Sequence, residues 1–310
     1  MIKSLFSGVG TAASRPRVLI GVWLASVLVA LPATWVMAEV LNDSFGSSRV
    51  AETMRQGFDM SWHGEFEAAA SGVAATFSPT VTGVGAFLIN LEGWATGALF
   101  KDFGSLLGLG LAWALVWALL LGGVLTRYGP APDGGRSSGF FESGGRYFAR
   151  FVRLALLAMP LYWLIYRLYR ASQRWLAAWT RDMTRETDVL ICSLTAIVLI
   201  AFLLVLVRTC FDYAKIATVI EGRRSMFVAT VRGMGFVLAH PLRTVGLYLI
   251  VALVSIALLL LYGTIAPGAE ASTALTIWAG FAIGQAFLLA RLFLRLSLLA
   301  GEMALFRKLA

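Results

Sequence analysis

The chain has 310 residues, 59% of them hydrophobic and only 14% charged, with a net charge of +9. Its mean hydropathy is +0.79. A soluble surface needs far more charge than this, and long uncharged runs mark membrane spans. On such a chain a surplus of Lys and Arg points to retention beside anionic lipid, not to nucleic-acid binding.

A helix needs roughly 20 apolar residues to cross a hydrocarbon core about 30 Å thick. Residues 18–38 meet this, preceded by Lys3, Arg15 and Arg17 and containing Pro32. A cleaved signal peptide is the competing reading, with cleavage before Glu39. The long pre-apolar region and an internal match described below favour a retained helix. Residues 39–105 form a long, mostly acidic helical loop. Within it, 68–91 carry no charge but are rich in Gly, Ser and Thr, with Pro79 in the middle. The second span is 106–125. Turn residues then follow, GPAPDGGRSSG at their heart, before an aromatic and basic interfacial stretch, 140–153.

The third span, 150–168, is the weakest. It contains Pro160, and Arg153 and Arg167 must snorkel to lengthen it. Residues 189–207, 244–267 and 271–290 are three more spans. Charge counting supports six. With the N-terminus inside, 18 Lys and Arg lie inside and 8 outside. Without the third span the count levels at 13 on each side, and an extra span at 68–91 inverts it to 9 against 17. The positive-inside bias therefore selects six spans, cytoplasmic termini, and a re-entrant or surface-lying 68–91.

Residues 208–243 lie between two spans and hold six of the 26 Lys and Arg. They read as a cytoplasmic elbow that lies on the membrane and then turns into it. Gly233, Gly235 and Pro241 have the same spacing as Gly8, Gly10 and Pro16, and the apolar residues after each proline also match. Proline ends one helix and starts the next, and glycine lets a surface helix press close. The first and fifth spans are thus both expected to be entered through an elbow, with residues 146–153 as a proline-free third version.

After the third span, Arg167, Arg170, Arg174, Arg181 and Arg185 fall within an arc of about 60° on a continuous helix. Trp175 and Trp179 take the remaining face. This is a basic amphipathic pattern, suited to anionic lipid or to the acidic first loop. In that loop Asp59, His63 and Glu67 are spaced i, i+4, i+8, which suits either a divalent metal or a solvated acidic face. The acidic face is favoured, so no metal or cofactor is expected. Asp212 lies four residues after Arg208 and three before Lys215, on one face with both. Gly280 and Gly284 form GxxxG on the last span, beside Gln285, whose expected role is a helix–helix hydrogen bond. Cys192 and Cys210 are about 27 Å apart on one helix and cannot pair.

No HExxH, Walker loop, GxSxG or paired histidines near acids are present. No catalytic residue is assigned. Ala229, Gly233 and Pro241 are similar to the ending of the coupling helix of ABC importer permeases. The Glu-Ala-Ala of that signature is absent and the Gly-to-Pro distance is shorter, so no role carries over. Asp212-Tyr213-Ala214, Arg223-Arg224 and Pro241 resemble the pattern of uncharacterised bacterial multi-pass membrane proteins, which implies no activity.

The expectation is an all-α polytopic helix bundle, a single membrane domain over 1–310 with six transmembrane helices and interfacial amphipathic helices. Its expected place is a bacterial inner membrane, among anionic lipids and other membrane subunits. The expected function is that of a non-enzymatic scaffold or accessory subunit. The alternative is a transporter component for a lipid or other amphiphile, coupled to a cytoplasmic ATPase.

Overall fold

In a computed structural model, residues 1–46, 52, 59–77, 93, 104–129, 139–181, 185–266 and 273–310 are described. Nine helices account for nearly all of the regular structure among them. They are α1 (Ile2–Ala13), α2 (Pro16–Phe45), α3 (Met60–Ala69), α4 (Gly104–Tyr128), α5 (Phe140–Trp179), α6 (Glu186–Ile220), α7 (Met226–Ala239), α8 (Pro241–Ile265) and α9 (Ala274–Leu309). The fold is all-α and polytopic: α2, α4, α5, α6, α8 and α9 are each long and apolar enough to cross a membrane. Among the described residues, each expected span overlaps one of them.

Helix ends depart from the sequence reading. Residues 208–220 belong to α6, so only α7 is a separate elbow helix. Residues 140–153, the third span and the basic stretch after it are one helix of 40 residues, α5. At about 1.5 Å per residue it is about 60 Å long, twice a hydrocarbon core. The physical reason is common to these cases. Leaving the hydrocarbon does not cost a helix its internal hydrogen bonds, so it continues until a residue or a turn stops it. The loop 39–105 begins with the last turns of α2 and contains α3 and a 3-10 turn at Ala74–Thr76. Residues 78–91 of the Gly/Ser/Thr-rich stretch lie outside the described residues.

The chain resolves into two compact units. The first comprises Met1–Ser14, Ala118–Val251 and Leu296–Ala310. Its centre is apolar and tightly packed. Leu154 and Ala158 of α5, Phe211 and Ala214 of α6, and Met226 and Ala229 of α7 form one cluster. Tyr213, Phe236 and Phe306 form another, with ring centroids 4.8–6.3 Å apart.

Gly233, Gly8 and Gly144 in this unit each sit against the backbone of another helix. A Cβ on Gly233 of α7 would lie 2.6 Å from both the Cys210 carbonyl oxygen and the Ala214 nitrogen of α6. A Cβ on Gly8 of α1 would meet the Ser297 carbonyl oxygen and lie 2.6 Å from the Gly301 nitrogen of α9. A Cβ on Gly144 of α5 would lie 2.7 Å from the Leu119 carbonyl oxygen of α4. No side chain fits at such a contact, which is the reason for glycine there. The matching second glycines, Gly10 and Gly235, face open space.

The two proline elbows also turn alike. Arg15 has φ −128° and ψ 59°, and His240 has φ −132° and ψ 50°. Each is followed at once by a proline that starts the next helix, Pro16 for α2 and Pro241 for α8. Buried positions correspond as well: Ser4, Gly8 and Ala12 in α1 match Ala229, Gly233 and Val237 in α7.

The second unit comprises Arg15–Trp117 and Ala252–Arg295. Trp23 Nε1 of α2 donates to Gln285 Oε1 of α9 at 2.9 Å. Tyr262 stacks on Phe287 with centroids 4.3 Å apart. The Arg295 guanidinium lies 3.7 Å from the centre of the Trp117 ring. At the end of α2, Phe45 stacks on Trp62 of α3, Trp62 stacks on Phe66, and Phe77 meets both Trp62 and Phe66 edge-on.

Candidate functional site

Within the first unit, α6 carries Arg208, Asp212 and Lys215 along one face. Lys215 Nζ donates to Asp212 Oδ1 at 2.6 Å. Arg208 Nε lies 3.9 Å from Asp212 Oδ2, and its guanidinium sits over the Tyr248 ring of α8 at 5.5 Å. Asp212 is only 7% exposed. The two cations thus keep a nearly buried carboxylate paired, and their own side chains reach the surface.

A second carboxylate shares this centre. Glu302 of α9 is 0% exposed, and neither of its oxygens has a hydrogen-bond partner. It interacts electrostatically with Asp212, Lys215 and Arg208. The Tyr213 hydroxyl, which also interacts electrostatically with Glu302, is buried without a hydrogen bond. A buried polar group in that condition is costly, and an uncompensated buried charge much more so.

The place of Glu302 follows from the glycine contacts. Glu302 lies five residues after Ser297, which receives Gly8. Lys215 lies five residues after Cys210, which receives Gly233. On α4 the same step from Leu119 reaches Val124, fully buried. Equivalent positions on α6 and α9 therefore carry opposite charges, and the third is apolar. Sequence reading missed Glu302 because it placed the last span at 271–290 and counted what followed as a basic tail. The available signals were that it is the only acid after Glu270 and has Leu298, Leu299, Met303 and Phe306 around it.

A separate acid holds the turn between α6 and α7. Glu221 accepts from Arg223 Nε and, at 3.1 Å, from Arg232 Nε, around Gly222 at φ +64°. Partial burial pushes its carboxyl up, but the two arginines outweigh this and hold it below the usual value of 4.5.

The other expected sites divide. Arg167, Arg170 and Arg174 are exposed on α5, but the helix ends at Trp179. Arg181 therefore falls in the turn after it, and Arg185 caps α6. The five-arginine stripe is cut to three because Thr180, at the C-cap, stops the helix. Arg174 Nε donates to the Arg170 carbonyl at 3.2 Å, and Arg167 lies over the Trp163 ring at 5.1 Å. On the opposite side of α5, Leu168, Trp175 and Trp179 line an open apolar groove of about 590 Å³ with Ile191, Phe202 and Leu203 of α6.

Gly284 approaches Tyr262, with a Cβ 3.9 Å from its hydroxyl. Gly280 sits half-buried on the same helix. Asp59 is the N-cap of α3, accepting from Ser61 and Trp62 amides at 2.9 and 3.1 Å. His63 Nε2 lies 3.4 Å from the Phe77 carbonyl oxygen, and Glu67 is exposed. No group of three metal-ligating side chains occurs among the described residues. Comparison with protein families, curated proteins and solved structures finds no match.

Proposed function

We propose that this multi-pass membrane protein is a non-enzymatic subunit of a larger membrane assembly in a bacterial inner membrane, with its elbows on the cytoplasmic side. The observation that carries the reading is the surface of α2. Only Val22 of its 30 residues is buried, and Gly21 has open space against it. In lipid, helices associate through close packing at small residues, so such a face suits a neighbouring subunit. A photo-crosslinking residue placed at Gly21 in native membranes is expected to capture one discrete protein partner. Adducts with lipid alone would overturn the reading.

The second reading is a transport component that handles a lipid or other amphiphile. The groove between α5 and α6 favours it, because its walls are almost wholly apolar and its volume suits an acyl chain. Replacing Ala196 in its wall by Trp fills the groove and is expected to remove lipid that co-purifies with the protein. Equal lipid content by native mass spectrometry would contradict it.

A further inference from the structure

The buried charge centre of α6 and α9 has a chemistry of its own. Glu302 interacts electrostatically with Asp212 and with Lys215 and Arg208, the two cations that pair with Asp212. In the observed arrangement both cations lie on Asp212, and Glu302 has none within hydrogen-bonding range. A fully buried carboxyl group with neither oxygen bonded carries no uncompensated charge when it is protonated. Once ionised, it competes with Asp212 for the same lysine. We propose that Asp212, Lys215 and Glu302 form a proton-binding site, in which a proton on Glu302 decides whether Lys215 belongs to Asp212 alone or is shared between two carboxylates.

One proton from water adds to a Glu302 oxygen, forming an O–H bond and breaking no bond within the protein. The carboxylate charge goes from −1 to 0. The centre's formal charge, counting Arg208, Asp212, Lys215 and Glu302, rises from zero to +1. The proton is the ligand that fits, because Glu302 is fully enclosed and closely packed. Lys215 and Arg208, each partly exposed, link the centre to the surface.

Other ionisable groups surround the site. Tyr213 lies on α6 itself, Tyr162 on α5 interacts with Asp212 and Arg208, and Tyr248 on α8 lies beneath Arg208. From α7, Arg232 sits over the Phe306 ring at 6.0 Å, and the His240 ring lies against Phe236 at 5.2 Å. Tyr128 and Arg127 on α4, Lys3 on α1, and Arg307 and Lys308 at the end of α9 belong to the same unit. None of these is an acid. Asp212 is the carboxylate that interacts electrostatically with Glu302.

Moving Lys215 between the carboxylates pulls on α6 and α9 together. It does so one turn from the backbone contacts that receive Gly233 and Gly8. Proton occupancy is thereby tied to how the two elbow helices seat. A two-state element biased by a single charge is the form such switches take.

The test uses the full-length protein in lipid nanodiscs, followed by infrared spectroscopy through a pH titration in H2O and D2O. A protonated-carboxyl C=O band is expected that shifts in D2O, disappears as pH rises, and is missing from Glu302→Gln at unchanged helicity. If Glu302→Gln does not fold, Lys215→Met decides, because loss of the shared cation should let the band persist to higher pH, by about one unit or more. A band retained in Glu302→Gln overturns the proposal. So does the absence of any titrating band in the wild type, or an unchanged titration in Lys215→Met.

Discussion

Single residues carry the close contacts of the elbow unit, and the two glycines of each elbow do different work. Gly8 and Gly233 press on backbone, whereas Gly10 and Gly235 face open space. Gly8→Ala and Gly233→Ala are expected to destabilise by about 1–3 kcal/mol, the usual cost of overpacking. Gly10→Ala and Gly235→Ala should instead stabilise by about 0.4–1 kcal/mol, because alanine restricts the unfolded chain. Thermal unfolding of the four variants in one detergent separates them. A uniform response would mean that the contacts do not hold the unit together.

Glu221 supplies a pH test at the same scale. Its carboxyl lies below 4.5 in the folded state, held there by Arg223 and Arg232 against the effect of burial. A lowered value means that the stabilisation is present above the unfolded value and is lost as pH falls through the folded one. Glu221→Gln should therefore lower the melting temperature at about pH 7 and converge with the wild type well below pH 4.5. Parallel curves down to acid pH would contradict the pairing.

Among elements, α5 is the most unusual. It continues through Pro160 and joins an interfacial segment, a span and a basic end in one rod. Spin labels at positions 146 and 177 should give one narrow distance of about 46 Å. A shorter or split distribution would place a break at Pro160. Its exposed Arg167, Arg170 and Arg174 are expected to gather anionic lipid, so changing all three to Gln should reduce enrichment of anionic lipid around the purified protein. Unchanged enrichment would reduce the stripe to a solvated helix end.

What the sequence made legible at this scale follows from which forces act locally. Spans could be read because long uncharged runs have one cheap environment. The Gly-to-Pro spacing of Gly8–Pro16 and Gly233–Pro241 could be read because backbone contact admits no other residue and proline sets the turn. Helix ends were not legible: nothing in the hydropathy of residues 208–220 distinguishes a continuing helix from a surface segment. Arg181 and Arg185 looked continuous with α5 because periodicity carries no mark of the stop at Thr180. Glu302 was invisible as a site, because its meaning lies in α6, almost ninety residues away.

At the scale of the whole molecule, the six long apolar helices among the described residues make this a multi-pass membrane protein. Three of its helices receive a glycine from an elbow segment: α4 from the start of α5, α6 from α7, and α9 from α1. That arrangement puts the ends of α4, α6 and α9 and the elbows together in one compact unit, with the charge centre inside it. Every elbow is therefore expected on the same side of the membrane, and the junction after α5 on the other. Single cysteines at Ser14, Arg181, Arg223 and Leu309, in a chain with Cys192 and Cys210 replaced by Ala, test this with a membrane-impermeant maleimide applied to sealed vesicles of known orientation. Positions 14, 223 and 309 are expected to react from one side only, and position 181 only from the opposite side. Labelling of 181 and 223 from the same side would contradict the account.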